Sequence, residues 1–304
     1  MEITTATLGF CVGIEQAYQA MDKIAADRES TFAVHQCTTP HKNAEWDTLR
    51  RIETKDASLI SRYPNLTKVS VLAPHDLSSL QPGDVVVVGF HGVGPGVRER
   101  LERDGAVVDD RQCPFISRLN ETIETLVADE FDIIIFGKRG NHHCLEANRL
   151  AETHGRQCVV AESPEDIETL PNEKERKWAF VGQVTGNTLE YDRVKRKLLE
   201  KNIPMKIIET VCSDSYLRQS MAVKLAQKAD VVIVVDDGSG SSLSVFEVCA
   251  EQKSRTYRIR SKEDIQWEWF DGSKKAAVVG GILVPQWTLD EVAKHIEQLA
   301  GLAV

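Results

Sequence analysis

The sequence predicts an α/β protein made of three small α/β domains in a pseudo-threefold arrangement, and two observations carry that reading. Continuous apolar runs alternate with amphipathic helical stretches along almost the whole chain, the pattern of parallel strands covered on both faces. A segment of strand, cysteine, helix and strand is also written three times, with Cys11, Cys113 and Cys212 at the same place in each copy and about 100 residues apart.

The elements follow in order. The stretch from Ile3 to Phe10 leads to Cys11, a helical pattern from Ile14 to Asp27, and a strand from Thr31 to His35. Further strands are expected at Val69 to Leu72 and Val85 to Phe90. In the second copy, Ala106-Val107-Val108 leads to Cys113, a helix from Ile116 to Val127 and the strand Asp132 to Phe136. Cys158-Val159-Val160 and Trp178 to Val181 add two more strands. The third copy runs from Lys206-Ile207-Ile208 through Cys212 to a helix from Leu217 to Lys228 and the strand Asp230 to Val235, with a last strand at Ala276 to Val279. Gln81-Pro82-Gly83-Asp84 and Leu170-Pro171-Asn172-Glu173 read as surface loops. The repeat places a first unit over residues 1–105, completed by the C-terminal segment. A second covers 106–204, a third 205–290, and a helix or tail ends the chain over 291–304.

Bulk properties narrow the partners. The net charge is −9, and the acidic residues are scattered, which disfavours nucleic acid or an anionic membrane surface. The longest apolar runs are far too short for a membrane span, and the N-terminus carries no secretory pattern. Seven cysteines, an odd number, argue against an extracellular disulfide framework and for a reducing cytoplasm.

In open α/β sheets, ligands sit beyond the carboxyl ends of the strands. The segments there are His35 to Asn43, Phe90 to Gly96, Gly137 to Cys144, and Asp236 to Ser242. Histidines, hydroxyls and glycines collect in them, and such groups hold an anionic oxygen-rich ligand. Three thiolates meeting on a pseudo-threefold axis suit a central iron–sulfur cluster with its fourth corner open. A zinc site could use the same residues, but no close Cys-x-x-Cys pair accompanies them. Cys158 and Cys249 read as core residues, and Gly238 to Ser242 taken alone as a solvated loop.

Gly9-Phe10-Cys11-Val12-Gly13, Phe90-His91-Gly92-Val93, Gln112-Cys113-Pro114 and Val211-Cys212 followed by Arg218-Gln219 resemble the LytB/IspH family, in order, from residue 3 to about residue 290. Typical members are 4-hydroxy-3-methylbut-2-enyl diphosphate reductases of isoprenoid biosynthesis. The resemblance implies a [4Fe–4S] cluster on Cys11, Cys113 and Cys212, with diphosphate held by His41, His91 and, across a one-residue gap, His142. It also implies a ferredoxin or flavodoxin electron donor.

Four departures stand out. The family's His-Pro-Glu acid loop is His142-His143-Cys144, and its Gln-Thr-Thr is Gln183-Val184-Thr185. Its Ser-Ser-Asn cradle is Ser241-Ser242-Leu243, and its Ala-Ser-Ala-Pro is Ile282-Leu283-Val284-Pro285. Replacing two hydrogen-bond partners of a buried anion by leucine costs on the order of several kcal/mol of binding. The expectation is therefore a cluster-bearing reductase with an altered pocket for a diphosphate, phosphate or carboxylate. In it His142, His143 and Thr185 handle protons, and His41, His91, Ser241 and Ser242 hold the ligand. One alternative is the isoprenoid reductase itself, with Lys138, Arg139 or Ser244 compensating. The other is an electron carrier or redox sensor in which Cys144 closes the cluster as fourth ligand.

Overall fold

The computed structural model describes residues 1–28, 30–34, 48–168, 170, 176–201 and 203–302. In chain order, β1 (Glu2–Thr5) and α1 (Val12–Ala26) precede β2 (Thr31–Val34) and two short helices, α2 (Thr48–Glu53) and α3 (Ala57–Arg62). Then come β3 (Val69–Leu72), β4 (Val85–Val88), α4 (Pro95–Arg103), β5 (Val107–Asp110) and α5 (Pro114–Ala128). The middle of the chain forms β6 (Asp132–Phe136), α6 (His142–Thr153), β7 (Cys158–Ala161), α7 (Pro164–Glu168), β8 (Trp178–Gly182), α8 (Thr188–Glu200) and β9 (Met205–Ile207). The last third forms α9 (Ser213–Lys228), β10 (Val231–Val235), α10 (Gly240–Gln252), β11 (Thr256–Ile259), β12 (Lys275–Gly280) and α11 (Gln286–Leu302). Among the described residues no helix is long and apolar enough to cross a membrane.

The strands build three parallel four-stranded sheets, ordered β3-β2-β4-β5, β7-β6-β8-β9 and β11-β10-β12-β1. The chain forms two compact units, residues 10–114 around the first sheet and residues 1–9 with 115–304 around the other two. The three-unit α/β expectation thus has its counterpart in three sheets of one pattern. Central strands are apolar on both faces because helices cover both. Val231–Val235 are all 2% exposed or less, worth about 10 kcal/mol gross before chain entropy is subtracted. The helices are one-sided: α1 buries Ile14, Ala17, Tyr18, Met21 and Ala25, the spacing of a single face.

Sheet membership differs from the expected boundaries near residues 106 and 204. There, the strand before each cysteine opens a new unit. In the structure β5 pairs with β4 and β9 with β8, so each is the outer strand of the preceding sheet. In each case the intervening helix, α4 or α8, returns the chain to the position beside the strand just left. β1 occupies the matching position beside β12, with Glu2 opposite Lys275. The N-terminal segment therefore completes the sheet of the last strands. The final helix begins at Gln286 rather than at 291.

Candidate active site

Each of the three cysteines follows an outer strand and heads a helix. Cys11 caps α1 with φ −65° and ψ 155°, and Cys212 caps α9 with φ −65° and ψ 135°. Cys113 immediately precedes Pro114 of α5 and is 6% exposed. The backbone repeats as well. The Cys113 amide donates to Phe90 O at 2.9 Å, and the Cys212 amide to Val184 O at 2.9 Å, each two residues past the end of a central strand. Matching turns follow, with Gly92 N donating to Gly89 O (2.8 Å), Gly186 N to Gln183 O (3.1 Å) and Val284 N to Gly281 O (3.3 Å).

At Cys212, burial raises the thiol above its ordinary value, while the main-chain N–H groups of Ser215 and Asp214 and the charge of Arg218 pull the other way. Those N–H groups favour the thiolate, the form that ligates iron. Among the described residues no three His, Cys, Asp or Glu side chains are grouped as ligands of a single metal ion. A cysteine at a helix head is a donor of the kind that iron–sulfur clusters use.

The loops after β6, β8 and β10 come together within one unit. Asn141 caps α6, its Oδ1 accepting His143 N at 2.9 Å. This places His142 and His143 at the helix head with ring centroids 3.9 Å apart, His143 buried at 4% exposure. Gln183 is buried, and its Oε1 accepts Lys138 N at 3.1 Å. A Cβ at Gly137 would stand 2.7 Å from both Gln183 Oε1 and Cys144 Sγ, so only glycine lets the strand end pack this closely. A Cβ at Gly240 would lie 3.6 Å from Gln183 Nε2 and 3.8 Å from Asn141 Nδ2, which sets the head of α10 beside both loops. Two helix N-termini, α6 and α10, thus share one corner, where their partial positive charge favours an anion.

The sequence-predicted hydroxyls are partly engaged already. Ser241 Oγ accepts Ile282 N at 3.1 Å and retains its own proton to donate. Ser242 has no exposed surface, and its Oγ lies 3.5 Å from both Asp237 N and Val235 O. Ser244 Oγ donates to Thr185 O at 3.0 Å, tying α10 to the loop after β8. Leu283 is 8% exposed. Lys138 faces Glu247 at 3.4 Å, which also accepts from Asn187 Nδ2 at 3.1 Å. His91 is half-buried in the first unit, its ring 5.4 Å from that of Phe90. His41 lies outside the described residues.

Cys144 is 1% exposed, and burial, with smaller contributions from Cys158 and Glu162, pushes its thiol up to about 12. Cys158, half-buried on β7, and Cys249, fully buried on α10, are raised to about 12 by the same cause.

Sequence reading passed over two features. Asp237 is 2% exposed; Oδ1 accepts Ser239 N at 2.8 Å, and Oδ2 has no hydrogen-bond partner among the described residues. Burial raises its carboxyl, against hydrogen bonds from Ser239 and Ser242 that lower it. The second feature is a buried network on Gln219. Its Oε1 accepts Thr188 N (2.8 Å) and Thr188 Oγ1 (3.0 Å), and its Nε2 donates to Gly186 O (2.9 Å) and Ser215 Oγ (3.0 Å). A carboxylate pair right after an apolar strand was a readable signal for Asp237; Gln219 stood in the Arg218-Gln219 motif, but its network joins segments distant in sequence and could not be read from it.

With this geometry in hand, comparison with known proteins is decisive. The family described as LytB protein matches residues 3–297. The chain belongs to the LytB family. Similar relatives named 4-hydroxy-3-methylbut-2-enyl diphosphate reductase come from a Nitratiruptor species and from Aquifex aeolicus. The first is 26% identical over 98% of this chain and 99% of its own length, the second 27% over 96% and 94%. The LytB fold is equally evident. A Plasmodium falciparum E-1-hydroxy-2-methyl-but-2-enyl-4-diphosphate reductase superposes with a TM-score of 0.76 at 17% identity, covering 96% of this chain and 87% of its own. A second solved structure, (E)-4-hydroxy-3-methyl-but-2-enyl diphosphate reductase, gives 0.59 at 22% identity, covering 98% and 100%. This LytB chain is an oxidoreductase, as its reductase relatives are.

Proposed function

We propose that this LytB protein is a [4Fe–4S] reductase that binds a small anionic, oxygen-bearing substrate and reductively removes a hydroxyl from it. Cys11, Cys113 and Cys212 would hold the cluster, and their equal placement at the heads of three helices is the observation that carries the reading. When bound, the cluster supplies electrons singly and an iron that accepts an oxygen ligand. A one-electron donor of the ferredoxin or flavodoxin kind would deliver the electrons.

The chain's own groups supply the rest. Helix heads α6 and α10 attract the anionic end of the substrate. His91, His41 and the remaining Ser241 proton add hydrogen bonds to it. His142 and His143, at the head of α6, are the groups that hold and pass a proton near neutral pH, in place of the family's carboxylic acid. Thr185 is held on its loop by Ser244. Cys144 faces the core with a protonated thiol, which supports an iron left open to substrate rather than a closed electron-transfer cluster.

The substrate pocket departs from the isoprenoid enzyme in this reading. Ser242 is sealed in the first turn of α10, and Leu243 and Leu283 replace polar residues of the family pattern. 4-Hydroxy-3-methylbut-2-enyl diphosphate should accordingly turn over weakly, and ligands with one phosphate or carboxylate should compete well. A second reading, the isoprenoid reductase itself, is favoured by end-to-end similarity to relatives carrying that name. The test is anaerobic reconstitution followed by assay with the diphosphate, dithionite and a viologen mediator. Weak turnover by cluster-loaded protein supports the altered pocket, and robust turnover establishes the second reading. Protein that takes up no cluster overturns both.

A further inference from the structure

We infer that Arg218 and Gln219 are positioning residues that fix the head of α9, and with it the Cys212 thiolate. The inference rests on the assignment of Cys212 as a cluster ligand. Neighbours on one helix, the two side chains reach to different segments. The Arg218 guanidinium is 3% exposed and donates from Nη1 to Leu8 O at 2.6 Å and Gly281 O at 3.3 Å, and from Nη2 to Gly9 O at 2.9 Å. Asp214 accepts from both Nε and Nη2 at 3.3 Å. One planar fork thus ties the first turn of its own helix to the segment two residues before Cys11 and to the turn after β12.

Gln219 ties the same helix to the turn after β8. It grips Gly186 O and the Thr188 amide and hydroxyl, and its bond to Ser215 Oγ returns to the first turn of α9. The Cys212 amide is bonded into that turn as well, through Val184 O. Cys212 therefore lies between two anchored segments, held through main-chain carbonyls, hydroxyls and the neighbouring carboxylate. Such a residue has little freedom to retreat when a ligand is absent, so the site is preorganised for iron. Lysine cannot reproduce the fork, because it offers one ammonium on a flexible stem. A buried charge held mostly by carbonyls is otherwise costly, which makes a purely packing role for Arg218 a poor account of it.

The variants are Arg218→Gln, Arg218→Lys and Gln219→Leu, with Val194→Ala in the core beside β8 as a control for general destabilisation. Two readouts are taken well below the unfolding midpoint of every variant. In metal-free protein, amide hydrogen exchange over residues 211–217 and the alkylation rate of Cys212 should rise at least tenfold in the three variants and stay within twofold of wild type in Val194→Ala. In reconstituted protein, release of iron to a chelator should accelerate by a similar factor, Arg218→Lys included. Exchange and alkylation at wild-type rates in all three variants would overturn the inference. So would equal acceleration in Val194→Ala, which would make the effect one of stability alone. If wild type takes up no iron, the ligand assignment of Cys212 fails, and the metal-free measurements still decide whether the pair positions its head of helix.

Discussion

Replacing Cys144 by alanine separates an open-site reductase from a closed electron carrier. The side chain is 1% exposed and packs against Gly137, where a single added carbon would come within 2.7 Å of Sγ. Removing the sulfur leaves a small cavity, and deletions of that size cost about 1–2 kcal/mol. With the thiol near 12, ionising it in place at pH 7.5 costs about 6 kcal/mol, since each pH unit is worth about 1.4. Swinging it out would also disturb the first turn of α6, whose Asn141 cap contributes about 1 kcal/mol. The expectation is a modest loss of stability in urea unfolding of the metal-free protein. Mössbauer spectra of reconstituted wild type and variant should be the same, each with one iron of more oxygen-like parameters. Four thiolate-bound irons in wild type, changing to three plus one in the variant with stability unmoved, would refute the burial argument and establish a carrier.

Asp237→Asn should make stability less sensitive to alkali. The native carboxyl is raised, so the folded state holds its proton where the unfolded chain has lost it; stability falls with rising pH from about 4 until the folded group ionises, at up to about 1.4 kcal/mol per unit. The variant, measured by urea unfolding from pH 4 to 9, should gain on wild type as pH rises; parallel curves would exclude this. Thr210→Val removes a hydroxyl that donates to Gly182 O at 2.7 Å and accepts Gly182 N at 2.8 Å, with Thr210 3% exposed. It should cost about 2–4 kcal/mol by calorimetry or denaturant. Leu243→Asn with Leu283→Ser restores the polar pattern of the resembled family, and should lower KM for the isoprenoid diphosphate at least tenfold. An unchanged KM would show that these leucines do not limit diphosphate binding.

The central strands were legible because burial on both faces writes itself as an uninterrupted apolar run, as in Val231 to Val235 and Ile133 to Phe136. The cysteine trio was legible because the fold repeats. Sheet membership of Val107–Asp110 was not, because a short outer strand of two valines and two aspartates carries no label saying which neighbour it joins. The candidate site divided along the same line. Residue types at strand ends could be read directly, but the burial of Ser242 in the first turn of α10 and the part of Gln219 as a hub depend on packing in three dimensions. Nothing local encodes such meetings.

The pairing of β1 with β12 has a consequence for how the protein is made. Glu2 finds Lys275, so β1 waits for a partner made far later in the chain before its hydrogen bonds close. Contacts of that sequence separation slow folding, because a very long loop must be ordered before they contribute. Until then β12 offers a bare edge beside the apolar strand β10, a template for pairing with another chain. Deletion of residues 2–6, or a bulky insertion directly ahead of Glu2, should therefore show itself first as aggregation during expression, before any loss of chemistry is seen.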